Sequence, residues 1–520
     1  MNYLNRLIYR VYKQFQSFSF VATSAHFVYN RALPWLKRET RPCQYHPDLL
    51  TFTVPDVRTD KSIKETKIAF ICDEMTYQDF KNECQAVYIN PANWLSIMES
   101  FKPEVFFCES AWRGIDANWR GRIYRHAKVK YENRRELLNV LDYCKRSGIK
   151  TVFWNKEDPQ YFHDKMYNFV DTALKFDYIF TTAKECVPLY RDLGHTKVDV
   201  LMFAFSPKLF NPLNSSQHEN RAVFAGSWYG DQPERCTDME KCFAMVLKKG
   251  IELQIYNRHS GSANPNNKFP DQYAAYIHDG IEFKELSKIL KQFGYAININ
   301  TVKDSQTMFA RRVFETMACN ILVISNESTG LRQLFDDRIW FVDHDFDESS
   351  VAAVCRENVR EVFQNHTYTQ RISYLLDAMQ ISFTRDQERV LILYEGLPAD
   401  MEKCQRHLRE IHYKDKCGWF DNGQRFVRLE DDYDISPQQF AEECRGYNYV
   451  IFGDAEFPLQ YDIGYAVKHF DYIEGFSGIR AGDPSFKYVT DAHNMNTIFK
   501  IDRYETLCQD KYQSLNKYLI

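Results

Sequence analysis

Two successive series of short apolar segments, each alternating with helical segments, constrain the fold of this chain more than any other feature of its sequence. The first series comprises residues 67–72, 104–108, 150–154, 177–182 and 198–204. The second comprises residues 221–226, 251–256, 295–300, 321–325 and 339–342. Between the strands lie helical patterns such as 132–148, which ends at a glycine suited to a helix C-cap. This alternation is typical of parallel sheets covered by helices, so it predicts an α/β fold with two doubly wound domains.

The segment between the two series predicts the domain boundaries. Residues 206–220 contain two prolines, three asparagines and little periodicity, which is typical of a linker. We therefore predict a helical extension at 1–66, a Rossmann-like domain at 67–206 and a second at 207–387, closed by helices at about 348–363 and 367–382. A smaller α/β domain is predicted at 388–520, with strands at 389–394 and 447–452 and a helix at 398–412.

Charge and composition exclude several classes of protein. The formal net charge of −4 argues against a protein built to coat nucleic acid. No run of about 18 apolar residues is present, so no transmembrane helix is expected. The 14 cysteines form no C-x-x-C pair and favour a reducing compartment, so we predict a cytoplasmic protein. The segment Met1–Val21 lacks the features of a signal peptide, and two interpretations remain: a packed amphipathic helix, or a basic-aromatic segment on the inner face of a membrane.

Carboxylates follow three strands of the first series. Asp73 follows the first strand, Glu109 the second, and Glu157 and Asp158 the third. Because ligands bind beyond the carboxyl ends of parallel strands, these four residues are candidates for catalytic acid/base work or for contacts to sugar hydroxyls. The alternative is that each one only caps the helix that follows it.

The strand ends of the second series are basic instead. Gly226, Ser227 and, further on, Arg235 follow its first strand, and Arg258 follows its second strand. Glycine at position 226 would allow a backbone to approach a ligand closely. These residues therefore predict one side of a phosphate-binding pocket.

The third strand of this series leads into a predicted helix that ends near Cys319. Asp304, Ser305 or Thr307 can cap its start. The candidate binding residues in this segment are Ser305, Thr307, Met308, Arg311, Arg312 and Glu315. A capped helix start offers free N–H groups to an anion, and arginines can hold phosphate oxygens in pairs. The alternative is that Arg311 and Glu315 form an ordinary surface pair one helical turn apart.

Several of these strings together resemble a known family. They are FWNKEDPQYF (153–162), FDYIFTT (176–182), FNP (210–212), VFAGSWYGDQPER (223–235), IYNR (255–258) and SQTMFARRVFETMACNILVIS (305–325). Over residues 67–345 the chain resembles the CgeB-like (spore maturation protein type) glycosyltransferases, which are related to group 1 glycosyltransferases of GT-B fold. The resemblance implies two facing Rossmann-like domains and transfer of a sugar from a nucleotide-diphosphate sugar, a UDP-sugar first of all, without a metal or other cofactor.

The resemblance also implies roles for individual residues. Gly226 would lie against the diphosphate, Arg311 and Arg312 would neutralise the leaving group, and Glu315 would match the second glutamate of an E-x7-E element that holds the ribose. The first glutamate of that element is replaced by Thr307. The C-terminal domain resembles a shortened, degenerate GT-A fold, in which Asp454 and Glu456 stand where a metal motif would lie.

The expected partners are therefore a nucleotide-sugar donor and a glycan, surface-polymer or protein acceptor, with no nucleic acid. A bacterial enzyme of cell-surface polysaccharide synthesis is the predicted context, with peripheral membrane contact tied to the second interpretation of Met1–Val21. Two alternatives stay open. One is a non-catalytic GT-B scaffold that binds nucleotide or glycan and organises a surface-assembly complex, and the other is a GT-B enzyme such as a nucleotide-sugar epimerase.

Overall fold

The computed structural model describes residues 42–52, 61–215, 219–384, 388–422, 424–444, 446–453, 463–472, 479–480 and 497–500. Met1–Val21 and the Asp454–Glu456 motif lie outside these residues. The described part of the predicted N-terminal extension contains two short 3₁₀ turns, Pro47–Leu49 and Ile63–Glu65. No helix among the described residues is long and apolar enough to cross a membrane.

The first sheet contains six parallel strands in the order β2-β1-β3-β5-β7-β8. Its elements, with a separate two-stranded ribbon formed by β4 and β6, are β1 (Lys67–Ile71), α1 (Glu74–Phe80), β2 (Gln85–Tyr88), α2 (Trp94–Phe101), β3 (Val105–Glu109), β4 (Arg125–His126), α3 (Arg135–Ser147), β5 (Lys150–Asn155), β6 (Tyr167–Asn168), α4 (Phe169–Ala173), β7 (Tyr178–Thr181), α5 (Cys186–Asp192) and β8 (Val198–Val200). Alternate strand residues enter two apolar clusters, so both faces of the sheet are covered. Gly148 ends α3 with φ 67°, a left-handed conformation that suits glycine.

The second sheet also contains six parallel strands, in the order β11-β10-β9-β12-β13-β14. Its elements are β9 (Arg221–Gly226), α6 (Pro233–Lys248), β10 (Glu252–Asn257), β11 (Ile277–Asp279), α7 (Phe283–Leu290), β12 (Tyr295–Asn298), α8 (Arg312–Ala318), β13 (Leu322–Ser325), α9 (Thr329–Phe335), β14 (Trp340–Phe341), α10 (Val351–Asn365) and α11 (Tyr368–Ala378). The two sheets confirm the predicted α/β class with two Rossmann-like domains.

Helix α11 differs from its predicted place. The sequence pattern assigned it to the second domain, but Tyr368, Ile372 and Leu375 join the apolar cluster under the first sheet. The ring of Tyr368 lies 4.5 Å from the ring of Phe80 on α1. A helix follows the apolar surface that it can bury, and its position in the sequence does not reveal which sheet offers that surface.

The chain divides into two compact units. The first contains both six-stranded sheets, and the second contains Asn211–Asn214, Val359–Asn365 and the described residues from position 388 onward. The second unit has a mixed sheet in the order β18-β17-β16-β15-β19-β21-β20. Its elements are β15 (Val390–Glu395), α12 (Met401–Glu410), β16 (Lys416–Asp421), β17 (Phe426–Arg428), β18 (Asp434–Ile435), α13 (Pro437–Cys444), β19 (Tyr449–Gly453), α14 (Ile463–Lys468), β20 (Ile479–Arg480) and β21 (Thr497–Lys500).

Candidate functional site

Each parallel sheet reverses its strand order at one point. In the first sheet this point lies between β1 and β3, and in the second between β9 and β12. The loops that leave neighbouring strands in opposite directions open a crevice there, which is where ligands bind in such sheets. The residues that follow these four strands are therefore the first to examine.

The loop between β12 and α8 differs from its prediction. The predicted helix start at Ser305 and Thr307 is wrong, because α8 begins only at Arg312 and has seven residues. The Ser305 hydroxyl instead accepts hydrogen bonds from the N–H groups of Thr307 and Met308, which closes a turn. No anion site at a capped helix start is formed by this loop.

Thr307 and Met308 connect the loop to the first domain. The Thr307 hydroxyl donates to the carbonyl of Thr182 at 2.7 Å and accepts from the N–H of Lys184 at 2.9 Å. The Met308 side chain packs against an apolar cluster of the first domain. Both side chains are therefore engaged in joining the two domains rather than directed at a ligand.

Arg311 is held by two carboxylates. Its Nη1 lies 3.0 Å from Asp79 on α1, and its Nε lies 2.7 Å from Glu315 on α8. Burial lowers the pKa of Arg311, but the two carboxylates raise it by more, so the guanidinium stays charged. The Arg311–Glu315 pair exists as the alternative interpretation expected, but it is buried rather than on the surface. Its charge is already compensated, so it has little left to offer a diphosphate.

Arg312, Arg235 and Arg258 form a cluster of positive charge that we call the arginine cluster. Burial lowers the pKa of Arg312 to about 10, and the charges of Arg258, Arg311 and Arg235 contribute to this shift. The charge of Glu315 acts in the opposite direction. The Nε of Arg312 is buried and has no hydrogen-bond partner among the described residues. An unpartnered buried donor beside like charges is costly, and an anion would relieve that cost.

The other two members of the cluster are Arg235, in the first turn of α6, and Arg258, which directly follows β10. Arg235 donates to the carbonyl of Ser227 at 3.0 Å and lies 4.8 Å from the centre of the Tyr229 ring. Burial lowers the pKa of Arg235, and the charge of Arg258 lowers it further. Arg258 is exposed and has no ion-pair partner in the described part of the chain. Neither residue is neutralised by a carboxylate, so the cluster is suited to a multiply charged anion.

The two residues after β9 play different parts. A Cβ at Gly226 would lie 2.5 Å from the Phe224 ring, so packing against that ring accounts for the glycine. The Ser227 hydroxyl is buried and has no hydrogen-bond partner among the described residues. A cavity of about 240 Å³ opens beside Arg235, and its other lining residues are Gln232, Pro233, Glu234, Asp238, Asn300, Thr301 and Lys303.

In the first domain, Asp73 and Glu109 surround Lys156. Asp73 accepts hydrogen bonds from the N–H groups of residues 112–114, the shortest at 2.7 Å from Gly114. Glu109 is 0% exposed and forms an ion pair with Lys156. Burial raises the pKa of Glu109, and Lys156 opposes that shift. The structure thus gives both carboxylates internal partners that hold the switch point of the first sheet together.

Asp158 is fully enclosed. It is 0% exposed and accepts hydrogen bonds from Asn155 at 2.8 Å, Thr181 at 2.7 Å and Tyr190 at 3.1 Å. Burial raises its pKa to about 7, against the effect of the two hydroxyl donors. A carboxylate that is sealed in this way organises the loop after β5 but does not reach a substrate.

Glu157 differs from the two enclosed carboxylates, Glu109 and Asp158, because it is partly exposed. Its side chain is half-buried and hydrogen-bonds the indole of Trp112. Burial raises its pKa, while Lys156 and Trp112 lower it. Of the four predicted catalytic residues, Glu157 is the one whose carboxylate combines partial exposure with a raised pKa, which suits proton transfer.

Sequence reasoning did not single out Asp79 or Lys156. Asp79 lies in the middle of a helical pattern, and nothing in the local sequence indicates that it meets Arg311 more than 200 positions away. Lys156 stands inside the acidic string NKEDP, where a lone lysine between strand and carboxylates is a signal for an internal counter-ion. No group of three or more His, Cys, Asp or Glu side chains with metal-site geometry is present among the described residues.

Comparison with known proteins agrees with this geometry at the level of the domain. Residues 247–377 match a family described as glycosyl transferase-like. This range covers most of the second Rossmann-like domain, including Arg258 and Arg312. The chain therefore contains a glycosyl transferase-like domain. No curated protein matches the chain.

Solved structures similar to the chain include several glycosyltransferases. Anabaena Alr3699/HepE, in complex with UDP and glucose, has 8% identity and a TM-score of 0.41, with 61% of this chain and 100% of that chain covered. An alpha-glucosyltransferase in complex with UDP and DNA has 12% identity and a TM-score of 0.36, with the same coverage. A glycosyltransferase of Rickettsia africae has 11% identity and a TM-score of 0.37, with 61% and 90% covered. Likeness at this level transfers neither substrate nor mechanism.

Proposed function

We propose that the protein is a glycosyltransferase that uses a nucleotide-diphosphate sugar, with a UDP-sugar as the first candidate donor. The observation that carries this proposal is the arginine cluster, in which Arg312 has a buried Nε without a hydrogen-bond partner and Arg235 and Arg258 form no ion pair with a carboxylate among the described residues. Arg258 and Arg312 lie within the glycosyl transferase-like match. A nucleoside diphosphate brings at least two negative charges to such a site. It would also satisfy the free Nε of Arg312 and the free hydroxyl of Ser227.

The same cluster gives the chemistry of the transfer. When the bond between the sugar and the diphosphate breaks, negative charge develops on the leaving phosphate. Fixed positive groups that already surround this oxygen stabilise the transition state without rearranging. In other transferases a divalent cation supplies this positive charge. Here the arginines would supply it, so we propose that sugar transfer does not require a metal ion.

Glu157 is the proposed general base on the acceptor side. The raised pKa makes the carboxylate of Glu157 a stronger base, which suits it to accept a proton from an acceptor hydroxyl. We assign Glu315 to positioning of Arg311 rather than to the ribose, because its side chain is 2% exposed and already bound. Asp73, Glu109 and Asp158 are assigned to holding the loops of the first domain.

A non-catalytic scaffold is the second candidate function. It is favoured by one observation: three of the four carboxylates in the first domain are occupied by internal hydrogen bonds or ion pairs. A scaffold would bind nucleotide through the arginine cluster but would neither transfer sugar nor hydrolyse the donor.

The test is binding and turnover on the full chain. Affinity for UDP and for UDP-, GDP-, CDP- and dTDP-sugars is measured by calorimetry in EDTA, and donor loss is followed by mass spectrometry. Arg258→Ala is expected to weaken binding of the preferred nucleotide at least about tenfold, because a charged hydrogen bond contributes about 1.5–3 kcal/mol. Arg356→Ala is the control, since Arg356 is also exposed in the second domain but lies on α10.

The outcomes separate the candidates. Binding that depends on Arg258 together with slow donor loss supports the transferase. Binding without any donor loss or transfer supports the scaffold. If no nucleotide binds, or if Arg258→Ala and Arg356→Ala behave alike, the proposed nucleotide site is wrong.

A further inference from the structure

The connection between β3 and α3 is far more basic than the rest of the chain. Residues 113–135, which we call the basic insert, hold eight lysines and arginines and two acidic residues. The chain as a whole has a net charge of −4. Such a concentration of one sign of charge in a single connection creates a local positive field that attracts anions.

Several cations of the basic insert are exposed and uncompensated. Arg113, Lys128, Lys130 and Arg135 are exposed, and they form no ion pair with any residue that the structure describes. Elsewhere in the first domain exposed bases do pair with acids, as Arg146 pairs with Asp142 at 2.9 Å. The basic insert therefore presents positive charge to solvent that no side chain of the described chain neutralises.

The backbone of the basic insert is fixed from inside. The Asn133 amide donates to the carbonyls of Gly121 at 2.9 Å and Tyr124 at 2.7 Å. Arg134 is 2% exposed and bonds Asp171, Glu132 and Thr172. These bonds position the exposed cations before any ligand arrives, which lowers the entropy cost of binding.

Two rings of the basic insert and three rings beside it form a group that we call the aromatic layer. It consists of Trp112, Tyr124, Tyr161, Tyr167 and His126. The Trp112 ring lies 5.1 Å from Tyr161 and 5.3 Å from Tyr167, and Tyr167 lies 5.6 Å from His126. All but Tyr124 are partly exposed. Ring faces and edges of this kind pack against the apolar faces of sugar rings.

The aromatic layer reaches the proposed general base. Trp112 hydrogen-bonds Glu157, and Tyr161 lies close enough to Glu157 for its charge to contribute, after burial, to raising the pKa of Tyr161. Asp231, in the loop after β9, contributes to the same shift. The aromatic layer therefore extends from the basic insert to Glu157.

We propose that the acceptor of the transferase is an acidic glycan, which lies on the aromatic layer and places its carboxylate or phosphate groups on the basic insert. This inference rests on the proposed function, since it names the acceptor of that site. The sugar rings would contact Trp112 and Tyr161 near Glu157, and the charged groups would extend toward Lys128 and Lys130. A nucleic acid fits less well, because proteins that bind one are usually basic over the whole domain, and here positive charge is confined to one connection.

The experiment measures binding of four polymers to the full chain by biolayer interferometry, without donor. The probes are oligogalacturonate for carboxylates, phosphomannan for phosphates, dextran as the neutral glycan, and an oligothymidylate. The variant is Lys128→Glu with Lys130→Glu, both in an exposed turn after β4. The control is Lys208→Glu with Lys414→Glu, which makes the same change in net charge at exposed lysines outside the insert.

We expect at least one acidic glycan to bind more tightly than dextran, with the stronger of the two identifying the acidic group. The insert variant should lose about tenfold or more in affinity, and binding should weaken as salt rises because salt screens exposed charges. Equal binding of dextran, tighter binding of the oligothymidylate, no binding at all, or equal loss in the control variant would each overturn the proposal.

Nucleotide affinity is measured on the same variants. The insert variant should bind UDP as the unchanged protein does, because the arginine cluster lies in the other domain. If the insert variant loses glycan binding but still binds UDP, the substitution has affected the acceptor site and left the nucleotide site unchanged. If UDP does not bind the unchanged protein, the proposed nucleotide site is contradicted, whatever the result for glycan binding.

Discussion

The guanidinium of Arg311 lies 3.0 Å from the carboxylate of Asp79, and this ion pair joins the second Rossmann-like domain to helix α1 of the first. Asp79 is 0% exposed, and burial raises its pKa while Arg311 lowers it. Arg311 also holds Glu315, so one guanidinium serves two buried carboxylates. These ion pairs explain why Arg311, which the sequence predicted at the diphosphate, has little charge left to offer such a ligand.

Removing either partner of this pair should destabilise the protein. Leaving a buried charge without its partner costs about 3–5 kcal/mol. Arg311→Met should lower the free energy of unfolding more than Asp79→Asn, because it strands both Asp79 and Glu315. Urea denaturation measures both, and the reverse order would contradict the assignment. UDP affinity of Asp79→Asn should stay within about twofold of the unchanged protein, since Arg311 makes no contact with the proposed diphosphate.

Placing at position 307 the glutamate that the resemblance implies should not increase sugar transfer. The Thr307 hydroxyl bonds both Thr182 and Lys184, and a glutamate can accept from the Lys184 N–H but cannot donate to the Thr182 carbonyl. Thr307→Glu should lower the free energy of unfolding by about 1–3 kcal/mol, the cost of an unsatisfied buried carbonyl. Thr307→Ser keeps the hydroxyl and is the matched control. A gain in turnover for Thr307→Glu would show that this position does face the donor sugar.

Gly226→Ala tests whether the glycine serves packing or ligand approach. The added Cβ would lie 2.5 Å from the Phe224 ring, and overpacking of this kind costs about 1–3 kcal/mol. Shortening the ring by Phe224→Leu in the same chain should recover part of that loss. If the double variant regains stability and also binds UDP normally, the glycine serves packing. If it regains stability but not binding, the backbone of Gly226 contacts the nucleotide.

The sequence indicated the architecture better than the site. Strands such as Lys67–Ile71 and Arg221–Gly226 were predicted because each contains four apolar residues in a row, which is typical of a strand buried between helix layers. Edge strands such as Gln85–Tyr88 escaped prediction because they are short and partly exposed. The Asp79 partner of Arg311 and the Thr182 partner of Thr307 could not be predicted, because both lie on other elements far away in the sequence. These distant partners determine which arginine can bind an anion, because an arginine already paired with carboxylates has little charge left to offer.

Glu157→Gln should reduce turnover and leave nucleotide binding unchanged. Glutamine keeps the size of the side chain and can still accept from Trp112, but it cannot take a proton from an acceptor. General base catalysis contributes about 10²–10⁴-fold, and kcat should fall by a factor in that range. The measurement is sugar transfer at saturating donor, with UDP affinity as the control. Turnover within about twofold of the unchanged protein would remove Glu157 from the mechanism.

Asp158 should make stability depend on pH in a direction opposite to that of most carboxylates. Its pKa is raised by burial from 3.8 to about 7, so the folded state binds a proton that the unfolded state releases between these values. Stability from this group is therefore fully present below about pH 4 and is lost as the pH rises toward 7, by about 4 kcal/mol at most. Asp158→Asn lacks this titration, although it also weakens the bonds to Thr181 and Tyr190.

The measurement that isolates Asp158 is the difference in unfolding free energy between the two proteins. The unchanged protein should lose stability relative to Asp158→Asn as the pH is raised from about 5 to about 7, and the difference should be constant above that range. Because other titrating groups are common to both proteins, their contributions cancel in the difference. A difference that stays flat over this range would mean that Asp158 is ionised in the folded state, with the hydrogen bonds from Asn155, Thr181 and Tyr190 outweighing the cost of burying its charge.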